Sequence, residues 1–282
     1  MLIDLHLHST YSDGALSPAE LVKLAIKNEL AAISITDHDT TAGVDETIDA
    51  GKKNGLAVLP GVEISVFHNE APMHILGYGF DQNNPVLQGC LNELQAIRRE
   101  RNAGITARLN KLGIVIGHDE FAPYGTAQIG RPHFASILVK KQIVKTTEQA
   151  FLKFLRKNGP AYVPKQKFPA AKAITSINQA GGLAFLAHPG YTDPSFDSIP
   201  LLLKELKDIG LAGVEVYYPG HSVNMINTLK KINIDLNLLS SGGSDFHGKL
   251  KPRHFMVGAN TDLKVPVDLF YDIVNYLSAQ GN

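Results

Sequence analysis

The sequence is poor in the features that define several common classes of protein. It contains one cysteine, Cys90, which excludes an intramolecular disulfide framework and a cysteine-rich zinc module. Charges and glycines interrupt every apolar run after a few residues, so no segment approaches the roughly 20 apolar residues of a membrane span. Met1 leads directly into the strand-like Leu2 to His6, without the pattern of a secretory signal. We therefore expect a soluble, cytoplasmic protein with no membrane partner and no obligate protein partner.

Charge is balanced overall but unevenly distributed along the 282 residues. The 27 basic and 27 acidic residues cancel, whereas between Gln95 and Ala170 there are 14 Lys and Arg and only four acidic residues, so this part carries +10 and the remainder −10. An acidic part suits a cation site and a basic part suits an anionic substrate, although solvated helix faces can produce the same segregation.

Short runs rich in Val, Ile and Leu predict buried strands at residues 2–7, 31–36, 57–66, 73–79, 182–187, 213–218, 238–242 and 255–259. Helical patterns separate several of them, including residues 170–179 and 199–209. A capping box, Ser17-Pro18-Ala19-Glu20, starts a further helix that runs toward Asn28. Alternating β and α units predict an α/β fold with a mostly parallel sheet, and seven or eight such units predict a barrel.

The stretch from about Pro85 to Gln166 breaks this alternation. Its apolar residues, such as Leu87, Leu91 and Leu94, follow a helical period, and it contains no convincing strand. We expect residues 1–85 and 167–282 to form the barrel, and residues 86–166 to form an inserted basic helical subdomain that serves as a lid or binds substrate.

His, Asp and Glu side chains recur at six predicted strand ends. His6 and His8 occupy alternate positions of the first strand, so both point to one face. Taken singly, each of these residues could be an ordinary polar residue whose hydrogen bonds are satisfied by its neighbours. Their recurrence at six strand ends is not explained in that way. Because barrel active sites lie at the carboxyl ends of the strands, we expect nine residues to meet there: His6, His8, Asp13, His38, Glu63, His74, His188, Asp245 and His247.

Nitrogen and oxygen ligands without sulfur favour zinc, manganese or iron. Six histidines and three carboxylates are more than one tetrahedral zinc needs, which indicates two or three divalent ions. Such a cluster activates a water and neutralises charge during phosphoryl transfer. The residues therefore predict a metal-dependent hydrolase of phosphate esters.

The order of these motifs closely resembles the PHP family, named for its polymerase and histidinol-phosphatase members. The resemblance covers nearly the whole chain and rests on His6-x-His8, Asp13, Asp37-His38-Asp39, Glu63, His74, Ala187-His188-Pro189 and Asp245-x-His247. It implies a distorted (β/α)7 barrel and a trinuclear site, for which we expect manganese, with iron(II) or zinc as alternatives. The implied ligand sets are His6, His8, Glu63 and Asp245; Asp13, His38 and His247; and His74, His188 and the other oxygen of Glu63. Asp37 and Asp39 would orient a histidine or a water.

The insertion and the motif Gly130-Arg131-Pro132-His133 resemble the nucleotide-hydrolysing branch of that family. Its members remove the 3′-phosphate from nucleoside 3′,5′-bisphosphates, for example pAp to AMP, and relatives trim RNA from the 5′ end. The resemblance implies a nucleotide or short 5′-phosphorylated oligonucleotide as substrate and a metal-activated water, with Asp13, His38 and His247 as catalytic residues. Arg131 would bind the non-reacting phosphate bidentately, and His133 and His221 are further candidate phosphate contacts.

Other functions remain open at this level. One is a phosphatase for another small ester, such as histidinol phosphate. Another is an amidohydrolase, which normally needs a bridging lysine, for which Glu63 is the only obvious substitute. A third is a metal-containing nucleic-acid-binding protein whose basic helices form the binding surface, although structural zinc sites are usually closed and four-coordinate. The pattern Asp37-x-Asp39-x-Thr41 also fits phosphatases with an aspartyl nucleophile, but that interpretation leaves the histidines without a role.

Overall fold

The computed structural model describes residues 1–124, 128–248, 255–258 and 261–280. The strands of this part of the chain are β1 Leu2–Leu7, β2 Leu30–Ile35, β3 Ala57–Val58, β4 Gly61–His68, β5 Ala71–Tyr78, β6 Leu183–Leu186, β7 Gly213–Tyr217 and β8 Leu239–Gly242. The α-helices are α1 Pro18–Lys27, α2 Val44–Asn54, α3 Pro85–Lys111, α4 Arg131–Lys140, α5 Thr147–Ala150, α6 Ala170–Gln179, α7 Pro189–Thr192, α8 Ile199–Asp208, α9 Val223–Asp235 and α10 Asp268–Gln280. A 3-10 helix spans His118–Tyr124, and a π-helical turn spans Phe151–Leu155.

Local sequence signals set several of these boundaries. The Ser17 hydroxyl accepts from the backbone N–H of Glu20, and the Glu20 carboxylate accepts from the backbone N–H of Ser17 at 2.8 Å. This is the predicted capping box, and it satisfies two backbone donors that have no partner inside the helix. The predicted helix at residues 170–179 is confirmed with the same bounds as α6, and the one at 199–209 is α8 with Ile209 as its C-cap.

The strands form two sheets that are joined at both ends. One sheet has the order β1-β2-β3, and the other has the order β4-β5-β6-β7-β8. Isolated parallel bridges connect Leu7 with Phe246 and His38 with Glu63. Hydrogen bonds from His8 N to Phe246 O (3.0 Å) and from Asp39 N to Glu63 O (2.9 Å) accompany them. The strand course of the described residues is therefore that of the predicted distorted barrel. The eight strands occupy seven places in the ring, because β3 and β4 follow one another along the same edge of β2.

Two details of the strand prediction are wrong. The run at 57–66 is not one strand, because it breaks at Leu59-Pro60, and proline has no N–H to continue a ladder. Residues 255–258 form no strand either, and the N–H of Val257 donates to the Asp4 carboxylate at 3.0 Å instead of to a neighbouring strand. Ala259, the last residue of that predicted strand, lies outside the described residues.

The prediction of a mostly parallel sheet is confirmed for the described strands. Four strand pairs are parallel, β1-β2, β2-β3, β6-β7 and β7-β8, whereas β4-β5 and β5-β6 are antiparallel. A tight turn at Asn69 and Glu70, with φ of 44° and 69°, joins β4 to β5. Such left-handed turns suit the twist of a hairpin, which is why consecutive strands here pair directly.

The segment from α3 to the end of the basic region consists of helices joined by loops, without a strand, within its described residues, 85–124 and 128–166. It has a hydrophobic core of its own, in which Ile105 and Leu109 of α3 pack with Phe134 and Leu138 of α4. Two larger cores fill the barrel and the space beneath its surrounding helices. None of the described helices combines the length and apolar character that a membrane crossing requires.

Candidate metal centre

All nine predicted ligands lie together at the carboxyl edge of the barrel. They come from the ends of β1, β2, β6 and β8, from the loop after β1, and from the interior of β4 and β5. Two glycines permit the close approach of these segments. A Cβ on Gly243 would lie 2.4 Å from the backbone N of His6, and one on Gly14 would lie 2.0 Å from His8 O. A larger residue at either position would separate the strand ends.

The first group consists of His6, His8, Glu63 and Asp245, all of them buried, with candidate ligand atoms within 4.8 Å of one another. Glu63 Oε2 lies 3.4 Å from His6 Nε2 and 3.2 Å from His8 Nε2. Asp245 Oδ1 lies 3.6 Å and 3.2 Å from the same two nitrogens. This is the first ligand set that the family resemblance implies.

The second group consists of His8, Asp13, His38 and His247. Asp13 Oδ1 lies 3.2 Å from His247 Nε2 and 3.9 Å from His38 Nε2. His8 was not part of the implied second set. Its Nδ1 lies 3.9 Å from the same carboxylate oxygen, so the imidazole stands between the first two groups.

The third group surrounds the other oxygen of Glu63. Glu63 Oε1 lies 2.6 Å from His74 Nδ1 and 3.0 Å from His188 Nε2. His38 also belongs to this group, because its Nδ1 lies 3.0 Å from Glu63 Oε2. The two oxygens of Glu63 thus face different histidines, as the implied ligand sets require.

The arrangement leaves buried polar atoms that protein groups do not satisfy. Within the described residues, several atoms of the cluster are shielded from solvent without a hydrogen bond of acceptable geometry, among them His6 Nε2, His8 Nε2, Asp13 Oδ1, His38 Nδ1 and Glu63 Oε2. A buried unsatisfied polar atom costs about 1–3 kcal/mol, so several within one cluster are unfavourable unless another group satisfies them. Nitrogen and oxygen lone pairs that converge in this way fit divalent cations.

Burial alone would raise the pKa of the Glu63 carboxyl, but His38, His74 and His6 outweigh it and hold the pKa well below its ordinary value. The pKa of Asp13 is lowered in the same way, with burial outweighed by His247 and His38. Burial lowers the pKa of His38 well below its ordinary value. These ionised carboxylates and this neutral imidazole are the forms that ligate metals.

His8 differs from His38 in its protonation. Burial would lower the pKa of its imidazole, but contacts with Asp245 and Glu63 prevail and raise the pKa to about 9. Without a cation, this imidazole therefore carries a proton at neutral pH. Ligation by His8 must displace that proton, so metal affinity here depends on pH.

Glu215, in the middle of β7, supports two of the histidines and was not predicted. Its side chain is fully buried; Oε1 lies 2.9 Å from His6 Nδ1, and Oε2 accepts from the backbone N–H of His188 at 2.6 Å. A carboxylate beside Nδ1 keeps the proton on that nitrogen and leaves Nε2 free to ligate. A lone acidic residue inside the apolar run 213–217 was the available signal.

Asp4 and Tyr218 fix the segment that follows β8. The Asp4 carboxylate accepts from the backbone N–H and the hydroxyl of Ser244, at 2.9 and 2.6 Å, and burial raises its pKa to about 6. The Tyr218 hydroxyl donates to Asp245 Oδ2 at 3.1 Å. Both contacts orient Asp245, although neither residue was a predicted member of the site.

Asp37 and Asp39, which were expected to orient a histidine or a water, lie behind the cluster. Asp37 accepts from the hydroxyls of Ser9 and Ser12, each at 2.5 Å. The Ser12 hydroxyl in turn lies 3.5 Å from His8 Nδ1. Asp39 forms a buried ion pair with Arg98 of α3, which connects the barrel edge to the insertion.

Three residues of this edge adopt positive φ without being glycine: Asp39 at 54°, His188 at 27° and Asp245 at 52°. Such conformations cost on the order of 1–3 kcal/mol each and concentrate at functional sites. Here hydrogen bonds hold them in place, for example from His188 N to Glu215 and from Asp39 N to Glu63 O.

A cavity of about 610 Å³ is lined both by the cluster and by cations of the segment 86–166. The cations are Arg101, Arg131, Lys157 and Lys165. Arg101 is 8% exposed; its Nε donates to Val163 O at 3.0 Å, and its buried Nη2 has no partner among the described residues. Burial and the neighbouring Arg98, Arg101 and Arg131 lower the pKa of Lys165 to about 8, against the opposing effect of Asp39.

The three predicted phosphate contacts have different surroundings. Arg131 lies in the cavity wall, and its Nη1 donates to Leu155 O at 3.3 Å. His133 is buried at the start of α4, where its Nδ1 accepts from Gly130 N at 3.0 Å. His221 has partners on both ring nitrogens, Val216 O at 2.9 Å and Gly190 N at 3.3 Å. Neither histidine lines the cavity that contains Arg131.

A distorted barrel with buried histidines and carboxylates at its carboxyl edge is the arrangement of a metal-dependent hydrolase. A model of the PHP domain matches residues 4–110. The chain is 34% identical to a 5′-3′ exoribonuclease of Haemophilus influenzae over 86% of this chain and 89% of the relative. It is 36% identical to a 3′,5′-nucleoside bisphosphate phosphatase of Chromobacterium violaceum over 87% of each.

The fold has close matches among solved structures. A proposed metal-dependent phosphoesterase of Bifidobacterium adolescentis superposes with a TM-score of 0.87 and 30% identity, over 97% of this chain and 95% of the other. The chain belongs to the PHP family. The predicted family, the α/β fold and the class of metal-dependent phosphoesterase are thereby confirmed.

Proposed function

We propose that the protein hydrolyses the 3′-phosphate of nucleoside 3′,5′-bisphosphates, converting pAp to AMP, and trims short 5′-phosphorylated oligonucleotides from the 5′ end. One observation carries the proposal: a single cavity joins the buried His and carboxylate cluster to the cations Arg101, Arg131 and Lys165. A substrate with one phosphate to be cleaved and others to be bound matches both parts. The names of the exoribonuclease and bisphosphate phosphatase relatives point to the same two substrates.

The three groups of the cluster would hold two or three divalent ions, manganese in our proposal, with iron(II) or zinc as alternatives. The proposed sets are His6, His8, Glu63 and Asp245; Asp13, His38 and His247; and His74, His188 and Glu63. Divalent ions in these positions supply an activated water and neutralise charge on the phosphoryl group. Glu63 belongs to two of the sets because its oxygens face different histidines.

Protein groups perform the remaining tasks. Asp13 stays ionised, since its pKa is held well below the ordinary value, so its carboxylate can accept a hydrogen bond from the attacking water. His38 and His247 fix that carboxylate from two sides, at 3.9 and 3.2 Å. We assign these three residues as catalytic. Asp37 orients His8 through Ser12, and Asp39 orients the insertion through Arg98.

Arg131 and Arg101 would bind the phosphate that is not cleaved. A guanidinium meets phosphate oxygens with two parallel hydrogen bonds, and Arg101 has a buried, unpartnered nitrogen available for one of them. Lys165 adds a third positive charge to the same wall. His133 and His221 are weaker candidates for phosphate contacts, because each already has a backbone partner and neither lines this cavity. Residues 86–166 thus act as a substrate-binding lid over the barrel formed by residues 1–85 and 167–282.

The test is release of product from adenosine 3′,5′-bisphosphate and from a 5′-phosphorylated RNA trinucleotide, in the presence of Mn²⁺. We expect inorganic phosphate and AMP from the first substrate and mononucleotides from the second. Asp13→Ala should abolish both activities and lower the bound metal measured by mass spectrometry. The matched control is Asp49→Ala, which removes an exposed carboxylate of α2. Wild-type inactivity on both substrates would refute the proposal.

A further inference from the structure

The active-site cavity has an aromatic wall as well as a cationic one. Tyr191, on the short helix α7, lines the same cavity as the metal cluster and the arginines. Its side chain is 68% exposed. Scattered exposed aromatic residues are ordinary, so what matters is where this ring lies and how firmly it is held.

The position of Tyr191 is set by its contacts with His188, a candidate metal ligand. Its backbone N–H donates to the carbonyl of His188 at 2.8 Å, which closes the single turn of α7 directly after that candidate ligand. The rings of Tyr191 and His188 are 5.3 Å apart and nearly perpendicular. The turn is closely packed beneath, because a Cβ on Gly190 would lie only 3.1 Å from the His221 ring. The place of this aromatic ring relative to the cluster is therefore fixed.

The neighbouring Tyr218 shows that the two tyrosines have different roles. Tyr218 is 3% exposed, and its hydroxyl donates to Asp245. The two rings are 5.8 Å apart. Burial, then Asp245, and then Tyr191 raise the pKa of the Tyr218 hydroxyl. The Tyr191 ring thus contacts the rings of His188 and Tyr218, while most of its surface is exposed.

We propose that Tyr191 is a specificity-determining residue that stacks on the nucleobase of the substrate. This inference rests on the proposed function, which supplies a nucleotide whose phosphates occupy the cluster and the arginines. Stacking on an aromatic ring tolerates any base because every base has a π face. The Tyr191 ring offers such a face at little cost in side-chain entropy, since it already packs against the rings of His188 and Tyr218.

The test compares two substrates that share both phosphates. One is adenosine 3′,5′-bisphosphate, and the other is 1,4-anhydroribitol 3,5-bisphosphate, which has the sugar ring but no base. Selectivity is the ratio of their kcat/KM values. Tyr191→Ala should lower this ratio about fivefold to about a hundredfold, the range expected for one base stacked on one aromatic ring. The loss should arise mainly from a higher KM for the adenosine substrate, and Tyr191→Phe should retain most of the selectivity.

Two controls separate the outcomes. Tyr271→Ala removes a half-exposed tyrosine of α10 and should not change the ratio. Tyr162→Ala removes a second tyrosine of the cavity wall, and a loss of selectivity in that variant but not in Tyr191→Ala would overturn the assignment. An equal effect of Tyr191→Ala on both substrates would overturn the stacking role alone. Wild-type inactivity on both bisphosphates would instead refute the proposed function, and the stacking role with it.

Discussion

The change Glu215→Gln tests whether the residue behind His6 determines metal affinity. The carboxylate accepts two hydrogen bonds, one on each oxygen, from His6 Nδ1–H and from the backbone N–H of His188. Glutamine has nearly the same shape but only one accepting oxygen. One of the two contacts must therefore be lost or reversed in direction, and the two orientations of the amide have different consequences for the site.

If the amide NH₂ faces His6, Nδ1 must accept a hydrogen bond, and the proton of the neutral imidazole moves to Nε2. That nitrogen faces Glu63 and Asp245 at 3.4 and 3.6 Å, and once protonated it cannot ligate a metal. If the NH₂ faces His188 instead, a buried backbone N–H loses its acceptor, at a cost of about 1–3 kcal/mol. Loss of such supporting contacts typically lowers metal affinity by about 10- to 100-fold, which corresponds to about 1.4–2.7 kcal/mol.

The assay is a competitive titration of Mn²⁺ against a chromophoric chelator, with thermal unfolding measured in parallel. Glu205→Gln is the matched control, since Glu205 also accepts from an imidazole, His68 Nε2 at 2.8 Å, but on the surface of α8. We expect the control to bind Mn²⁺ like the wild type. A Glu215→Gln protein that folds and binds Mn²⁺ within twofold of the wild type would refute the reasoning.

The cationic wall and the cluster support three further predictions. The pKa of Lys165 is lowered to about 8, so its amine is charged below that pH and neutral above it. The KM for a bisphosphate should therefore rise as the pH passes 8. Lys165→Arg should remove this rise. Arg98→Ala leaves the buried Asp39 carboxylate unpaired, so urea unfolding should show a loss of about 3–5 kcal/mol, and an intact unfolding midpoint would contradict the pairing. Removal of divalent ions by EDTA should lower the unfolding temperature, and added Mn²⁺ should restore it; a Glu63→Gln variant should show a much smaller response in the same melting experiment.

The sequence was sufficient to predict the polar residues that meet at the barrel edge. Their signal was local: most of these side chains lie in or shortly after a short apolar run, as His188 does after β6, and parallel strands bring their carboxyl ends to one edge. The start of α1 was equally local, because the capping box lies within four residues.

The contacts that cross the chain could not be predicted in this way. Arg98 and Asp39 are 59 residues apart, and no pattern marks them as partners. Glu215 lies in an apolar strand, and only the fold places it against His6. The β4-β5 hairpin had a weak signal in Asn69, whose positive φ the turn requires, but the strand pattern alone does not distinguish a hairpin from a crossover connection.

Helix α3 connects the barrel edge rigidly to the cationic wall of the cavity. It runs unbroken from Pro85 to Lys111, and its residues at intervals of three face the barrel in turn: Gln95 donates to Asp39 O, Arg98 pairs with the Asp39 carboxylate, and Arg101 reaches the cavity. A rigid helix rises 1.5 Å per residue, so the separation between the metal cluster and the guanidinium of Arg101 is set by a rod and not by a loop. A change at the Asp39–Arg98 ion pair would therefore be transmitted along one helix to the position of Arg101 in the cavity wall.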